Sequence, residues 1–170
     1  RVENIADKTA RLAAFFSGKC DVYASDVTAL TSDRLLATEP TAYQILPEVI
    51  SAEPLTLVSQ PDAAFEKAVY WAFQVMLNAE QFGVNQANVD QVVASLATQP
   101  KGVVRLFSKD GATADMAQKL GLPTDWAYQV IKQVGNYNDV FERHLGASTA
   151  FGMQRAGSVN ALVRDGGLMY

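Results

Sequence analysis

The stretch Ser17-Gly18-Lys19-Cys20-Asp21-Val22-Tyr23-Ala24-Ser25-Asp26 decides how this chain is read. An amphipathic run stops at Gly18, which fits the C′ position of a helix. Asp21 to Ser25 is short and holds β-branched and aromatic residues, the signature of an internal strand. Val27 to Ala37 can be helical. Asp26 therefore falls at the carboxyl end of a strand and the amino end of a helix, the edge of an open α/β sheet where ligands bind. The same position suits a helix N-cap, whose carboxylate accepts a backbone N–H two or three residues on. Position alone leaves both roles open.

Upstream, Arg1 to Asn4 reads as the tail of a strand, and Asp7 opens the helix that Gly18 closes. Ile5, Leu12, Phe15 and Phe16 share one face of it at helical spacing and need a sheet to cover. Strand, helix and strand in so short a span predict a parallel βαβ crossover. Downstream, Leu30, Leu35 and Leu36 mark a weakly amphipathic helix stopped by Pro40. Tyr43 to Leu46 reads as a strand closed by Pro47. Glu53 to Ser59 alternates as an extended segment, with Pro54 near its start as in an edge or crossing strand. Such a segment can connect two lobes.

From Pro61 the pattern becomes helical. Pro61 fits the first position of a long helix that Gly83 ends. Its main stripe is Phe65, Val69, Ala72, Phe73, Met76 and Leu77, with a narrower second stripe of Trp71 and Val75; a helix apolar on two sides is packed on two sides. Shorter helical pieces follow at Asn85–Ala97, Pro100–Phe107 and Ala114–Leu120. Thr124 caps a last long helix with the stripe Trp126, Val130, Val134, Tyr137, Phe141 and Leu145; Gly135 inside it costs about 1 kcal/mol against Ala. Phe151 to Tyr170 is Gly-rich and predicted irregular, with one short helix near Val159.

Composition excludes several classes. The chain has 170 residues, 49% of them hydrophobic and 19% charged, so it is globular rather than disordered. A net charge of -4 without a basic block argues against a nucleic-acid partner. No apolar run reaches the length of a membrane span, so no membrane insertion is expected. The first residue is Arg1 rather than Met, which reads as a processed or truncated chain. The single cysteine, Cys20, excludes an internal disulfide and a multi-thiolate metal site; it reads as a buried, inert thiol.

No catalytic constellation emerges, and neither a cofactor nor a metal is expected. His144, the only histidine, closes a helix with no carboxylate placed beside it by sequence. Nucleophile-elbow, zinc-protease, phosphate-loop and dinucleotide motifs are missing. Glu66, Glu80 and Glu142 fall on predicted solvent faces.

The run Phe16 to Asp26 resembles the second-lobe motif of the periplasmic amino-acid-binding proteins of ABC importers, nearest the general L-amino-acid type. Tyr43 to Leu55 resembles that group's return to its interlobe strand, and Asp125 to Tyr137 its late helix. Asn160-Ala161-Leu162 with Gly166 to Tyr170 is similar to its C-terminal signature. The resemblance implies an α/β fold of the class II periplasmic-binding-protein type, in part only. Residues 1–52 then belong to the second lobe, 53–59 to a hinge strand between lobes, and 60–170 to the C-terminal helices of the first lobe. It also implies that Asp26 accepts the α-ammonium of a free L-amino acid, with Ser25 beside it in the ligand site. An ABC permease is the implied partner, and the periplasm of a Gram-negative bacterium the implied compartment.

The chain resembles only the C-terminal half of such a protein. The opening units of the first lobe are not found, nor is the arginine that clamps the ligand carboxylate. The missing N-terminal half, or self-association, is expected to cover exposed apolar faces and sheet edges. Micromolar binding needs about 8 kcal/mol and one charge-assisted pair contributes about 1.5–3, so the chain alone is expected to bind weakly or not at all. Two other readings stand beside this one: a small dehydratase-like enzyme on the same fold, and an association module without a ligand.

Overall fold

The computed structural model describes residues 1–51 and 55–169 and divides into two compact units, Arg1–Ser51 and Ala52–Tyr170. In the first, Asp7 accepts the Ala10 amide at 2.8 Å and starts helix α1, Lys8–Phe16. Gly18, at φ 75°, ends it, with the Lys19 amide returning to the Ala14 carbonyl at 3.0 Å, the closure a left-handed C′ residue permits. Helix α2, Val27–Arg34, and a 3-10 turn at Pro40–Ala42 complete the regular structure of this unit.

The strands expected at 1–4, 21–25 and 43–46 do not form. A strand exists through its ladder, and among the described residues no backbone N–H of 20–26 or 44–51 reaches a backbone carbonyl. The hinge strand expected over 53–59 lies partly outside the described residues, and 55–59 join no ladder. One parallel bridge, Leu162 to Met169, is the β-pairing among the described residues. The α1 face still acts as a docking surface. Phe15 and Phe16 each hold the Tyr43 ring at 5.3 Å, and Phe15 holds Tyr23 at 5.9 Å.

The second unit is built on helix α3, Ala63–Gln81. Asp62 caps it by accepting the amides of Ala64 and Phe65 at 2.9 and 3.0 Å, so Pro61 precedes the cap instead of opening the helix. Helices α4 (Val89–Ala94), α5 (Lys101–Phe107), α6 (Ala112–Leu120) and α7 (Trp126–Gln133) follow. Because α5, α6 and α7 all pack on α3, the narrower Trp71/Val75 stripe faces the main core, joined by Ala79. Of the wider stripe Leu77 is buried, while Phe65, near the start of α3, is 56% exposed. Trp126 buries its ring in this core and donates its indole N–H to the Thr113 carbonyl at 3.0 Å.

The last long helix is two helices. Helix α7 ends at Gln133 and α8 runs Tyr137–His144. Gly135 takes φ 95°, and a Cβ there would lie 2.5 Å from Asp139 Cβ. Asn136 and Asp139 then form a reciprocal capping box, each side chain taking the other's backbone N–H at 2.9 Å. That cap, and the bond from Asn136 Nδ2 to the Val84 carbonyl at 2.8 Å, outweigh the helical periodicity across the break.

Candidate functional site

Asp26 is the N-cap residue of α2, yet its side chain makes no capping hydrogen bond. Its backbone carbonyl does accept the Leu30 amide at 2.8 Å, so the helix starts without help from the carboxylate. Asp26 and Ser25 are both exposed. An uncommitted carboxylate at a helix amino end, next to a hydroxyl, can accept a cationic group while nearby orphan amides favour negative charge.

What holds α2 in place is a residue the sequence reading passed over. Asp33 is 2% exposed, and with Ala14 and Thr31 it makes up the buried set of the first unit. Tyr23 donates its hydroxyl to Asp33 Oδ2 at 3.1 Å, and Lys8 Nζ stands 2.8 Å from Oδ1. One carboxylate thus ties α1, the 21–25 segment and α2 together. A signal was present: an acid in the last turn of a helix opposes the helix dipole and needs a compensating partner. Cys20, expected buried, is only half-buried, since no strand encloses it. A hollow of about 350 Å³ lies between Phe16, Leu36, Glu39 and Tyr43; neither Asp26 nor Ser25 lines it.

The second unit carries two polar clusters. Glu80, expected in solvent, is half-buried because Arg155, 5% exposed, folds back onto it. Arg155 also donates to Asn138 Oδ1 at 3.2 Å and to the Asn160 carbonyl at 2.8 Å, and its guanidinium lies 4.7 Å from the Tyr137 ring centre. This node pins the irregular C-terminal segment to α3 and α8. On the surface, Asp90 accepts from Lys132 and, at 3.0 Å, from the Tyr128 hydroxyl. The bond from Lys132, then that from Tyr128, hold the Asp90 carboxyl below its ordinary range; the same contacts raise Lys132 and Tyr128.

His144 is exposed and neighbours Arg143, whose Nε lies 3.4 Å from its Nε2. Among the described residues no group of three or more His, Cys, Asp or Glu side chains could hold a metal ion. No helix of the described residues is long and apolar enough to cross a membrane.

No protein-family model matches the chain. It is 40% identical over 168 residues to the glutamate/glutamine/aspartate/asparagine-binding protein BztA of Rhodobacter capsulatus, covering 98% of this chain and 48% of that protein. It is likewise 40% identical over 159 residues to the general L-amino acid-binding periplasmic protein AapJ of Rhizobium johnstonii, covering 93% of this chain and 45% of the other. Among solved structures, an ABC transporter/periplasmic binding protein from Brucella ovis with glutathione bound matches at TM-score 0.80 and 36% identity, over 98% of this chain and 50% of that one. The chain spans about half the length of each relative.

Proposed function

We infer that this chain, homologous to the periplasmic amino-acid-binding proteins of ABC transporters over about half their length, supplies part of a solute-binding protein that delivers free L-amino acids to an ABC permease. Its fold is that of part of a periplasmic binding protein. Its relatives are described as binding proteins, AapJ and the Brucella protein as periplasmic ones, and the periplasm is the compartment proposed here.

The observation that carries the reading is Asp26: a helix-terminal carboxylate that is exposed and caps nothing. The ligands named for the relatives are glutamate, glutamine, aspartate and asparagine, L-amino acids in general, and glutathione. All of them present an α-ammonium beside an α-carboxylate. Asp26 accepts the ammonium, and Ser25 adds a hydroxyl contact. A pair of this kind contributes about 1.5–3 kcal/mol, against about 8 for a micromolar complex. The remaining energy comes from an opposite wall that these residues do not build, the other lobe of the binding protein.

The test is Asp26→Asn in the chain completed by the remaining half of the Brucella protein. The exposed Asp26 side chain makes no capping hydrogen bond to lose, so thermal stability stays unchanged while affinity for L-glutamate falls about 10- to 100-fold. Unchanged affinity by calorimetry removes Asp26 from the site. The association-module reading is favoured by one observation, the exposed Val22, Leu46, Val49 and Ile50 of the first unit.

A further inference from the structure

The hollow in the first unit is walled by chemistry of one sign. Phe16 and Tyr43, both half-buried, line it together with Leu36, Thr38 and Glu39. The two rings stand 5.3 Å apart at 66° to each other, so they meet as the walls of a corner instead of stacking. An aromatic face carries the negative part of the ring's quadrupole and attracts a cation. Glu39 adds a full negative charge at the rim, where it is exposed. The ion pairs of this unit among the described residues are Lys8 with Asp33 and Lys19 with Glu3, and the Glu39 carboxylate belongs to neither.

The backbone has the same sign. Leu36 and Thr38 belong to the chain leaving the carboxyl end of α2, where the helix dipole is negative. Among the described residues no backbone N–H reaches the carbonyls of residues 35–38. No Lys, Arg or His side chain answers this charge: Arg34, in the last turn of α2, is the basic residue nearest in sequence, and it does not line the hollow. At about 350 Å³ the space suits one small molecule.

We propose that this hollow binds a small organic cation of the alkylated-ammonium class, with its charge against the Phe16 and Tyr43 rings and beside Glu39, and its alkyl surface on Leu36. An alkylated ammonium suits these walls better than a bare one, because its N-methyl groups carry the charge onto apolar surface and leave no N–H to satisfy. Asp26 and Ser25 take no part in the site, so the proposal does not rest on the binding-protein reading. A Lys or Arg side chain from the half of a binding protein that these residues do not span offers the same charge, and the experiment separates the two sources.

Choline is titrated into the 170-residue chain, alone and completed by the unmatched half of the Brucella protein, and followed by proton NMR with its uncharged carbon analogue dimethylbutanol as the control. The expected result is an upfield shift of the choline N-methyl signal that saturates with a Kd on the order of 1–10 mM, and dimethylbutanol weaker by about 5-fold or more. Glu39→Gln and Tyr43→Leu each weaken choline by about 5-fold. Tyr43→Phe, which keeps the ring, and Glu48→Gln, an exposed acid of the same unit outside the hollow, leave the affinity unchanged. Equal affinity for choline and dimethylbutanol overturns the proposal, as does unchanged affinity in Glu39→Gln. No saturable shift in either form of the protein overturns it too. Binding by the chain alone that disappears in the completed protein gives the hollow to a basic side chain of the other half, which also overturns it. Binding in the completed protein supports it, and a completed protein that takes choline but no L-glutamate contradicts the transport reading instead.

Discussion

Two carboxylates a few residues apart show how environment sorts identical chemistry. Asp26 precedes α2 and Asp33 lies in its last turn, yet one is exposed and makes no cap while the other is buried between Lys8 and Tyr23. The sequence placed Asp26 correctly at a helix start but offered nothing to separate cap from ligand contact. Asp33 was passed over because its partners come from other segments. Glu80 shows the same limit: helical periodicity put it in solvent, and Arg155, far along the chain, takes it inside. Removing one member of a buried pair leaves the other charge uncompensated. Arg155 keeps its bonds to Asn138 and Asn160, which moderates the loss. Glu80→Ala is therefore expected to destabilise the second unit by about 3 kcal/mol in urea unfolding. Glu66→Ala, exposed near the start of the same helix, is expected to stay within about 0.5 kcal/mol. Equal effects of the two contradict the buried role of Glu80.

At the scale of elements, helices α1, α3 and α6 were legible because a left-handed glycine follows each, Gly18, Gly83 and Gly121, and the first two carry an apolar stripe before it. The division between α7 and α8 was hidden, since Val130, Val134, Tyr137 and Phe141 keep helical spacing across it. The deciding signal was the Gly135-Asn136 pair followed by Asp139, a stop and a capping box read together. Substituting Gly135 tests this by sign. In a continuous helix Gly135→Ala stabilises by about 1 kcal/mol; at φ 95° beside Asp139 it destabilises by about 2 kcal/mol. A second test concerns the tie between α4 and α7. The lowered carboxyl of Asp90 contributes stability that is present above 3.8 and lost as pH falls through its folded value. The raised groups, Tyr128 and Lys132, contribute stability that is present below 10.0 and 10.5 and lost as pH rises through their folded values. Asp90→Asn flattens both limbs of a stability–pH profile measured by urea midpoint. A variant profile parallel to that of the parent contradicts the tie.

The two units differ in kind. The second closes a helical core around Val75, Ala79, Trp126 and Ile131, and its elements form from short-range signals plus local packing. The first holds two helices, an aromatic cluster and a buried carboxylate, and its strand segments stay unladdered. The sequence patterns for those strands are β-branched and aromatic content at 21–25 and alternating exposure over 43–46; pattern alone cannot supply a neighbour for them. In the function proposed above the same shortfall is limiting, because one acidic rim would hold one end of an amino acid and a second wall would have to hold the other. Calorimetric titration of L-glutamate into the chain alone, and into the chain completed by the unmatched half of the Brucella protein, tests this directly. The expected result is no binding tighter than about 1 mM alone, where one charged pair acts, and micromolar binding in the completed protein. Micromolar binding by the isolated chain, or none by the completed protein, contradicts it.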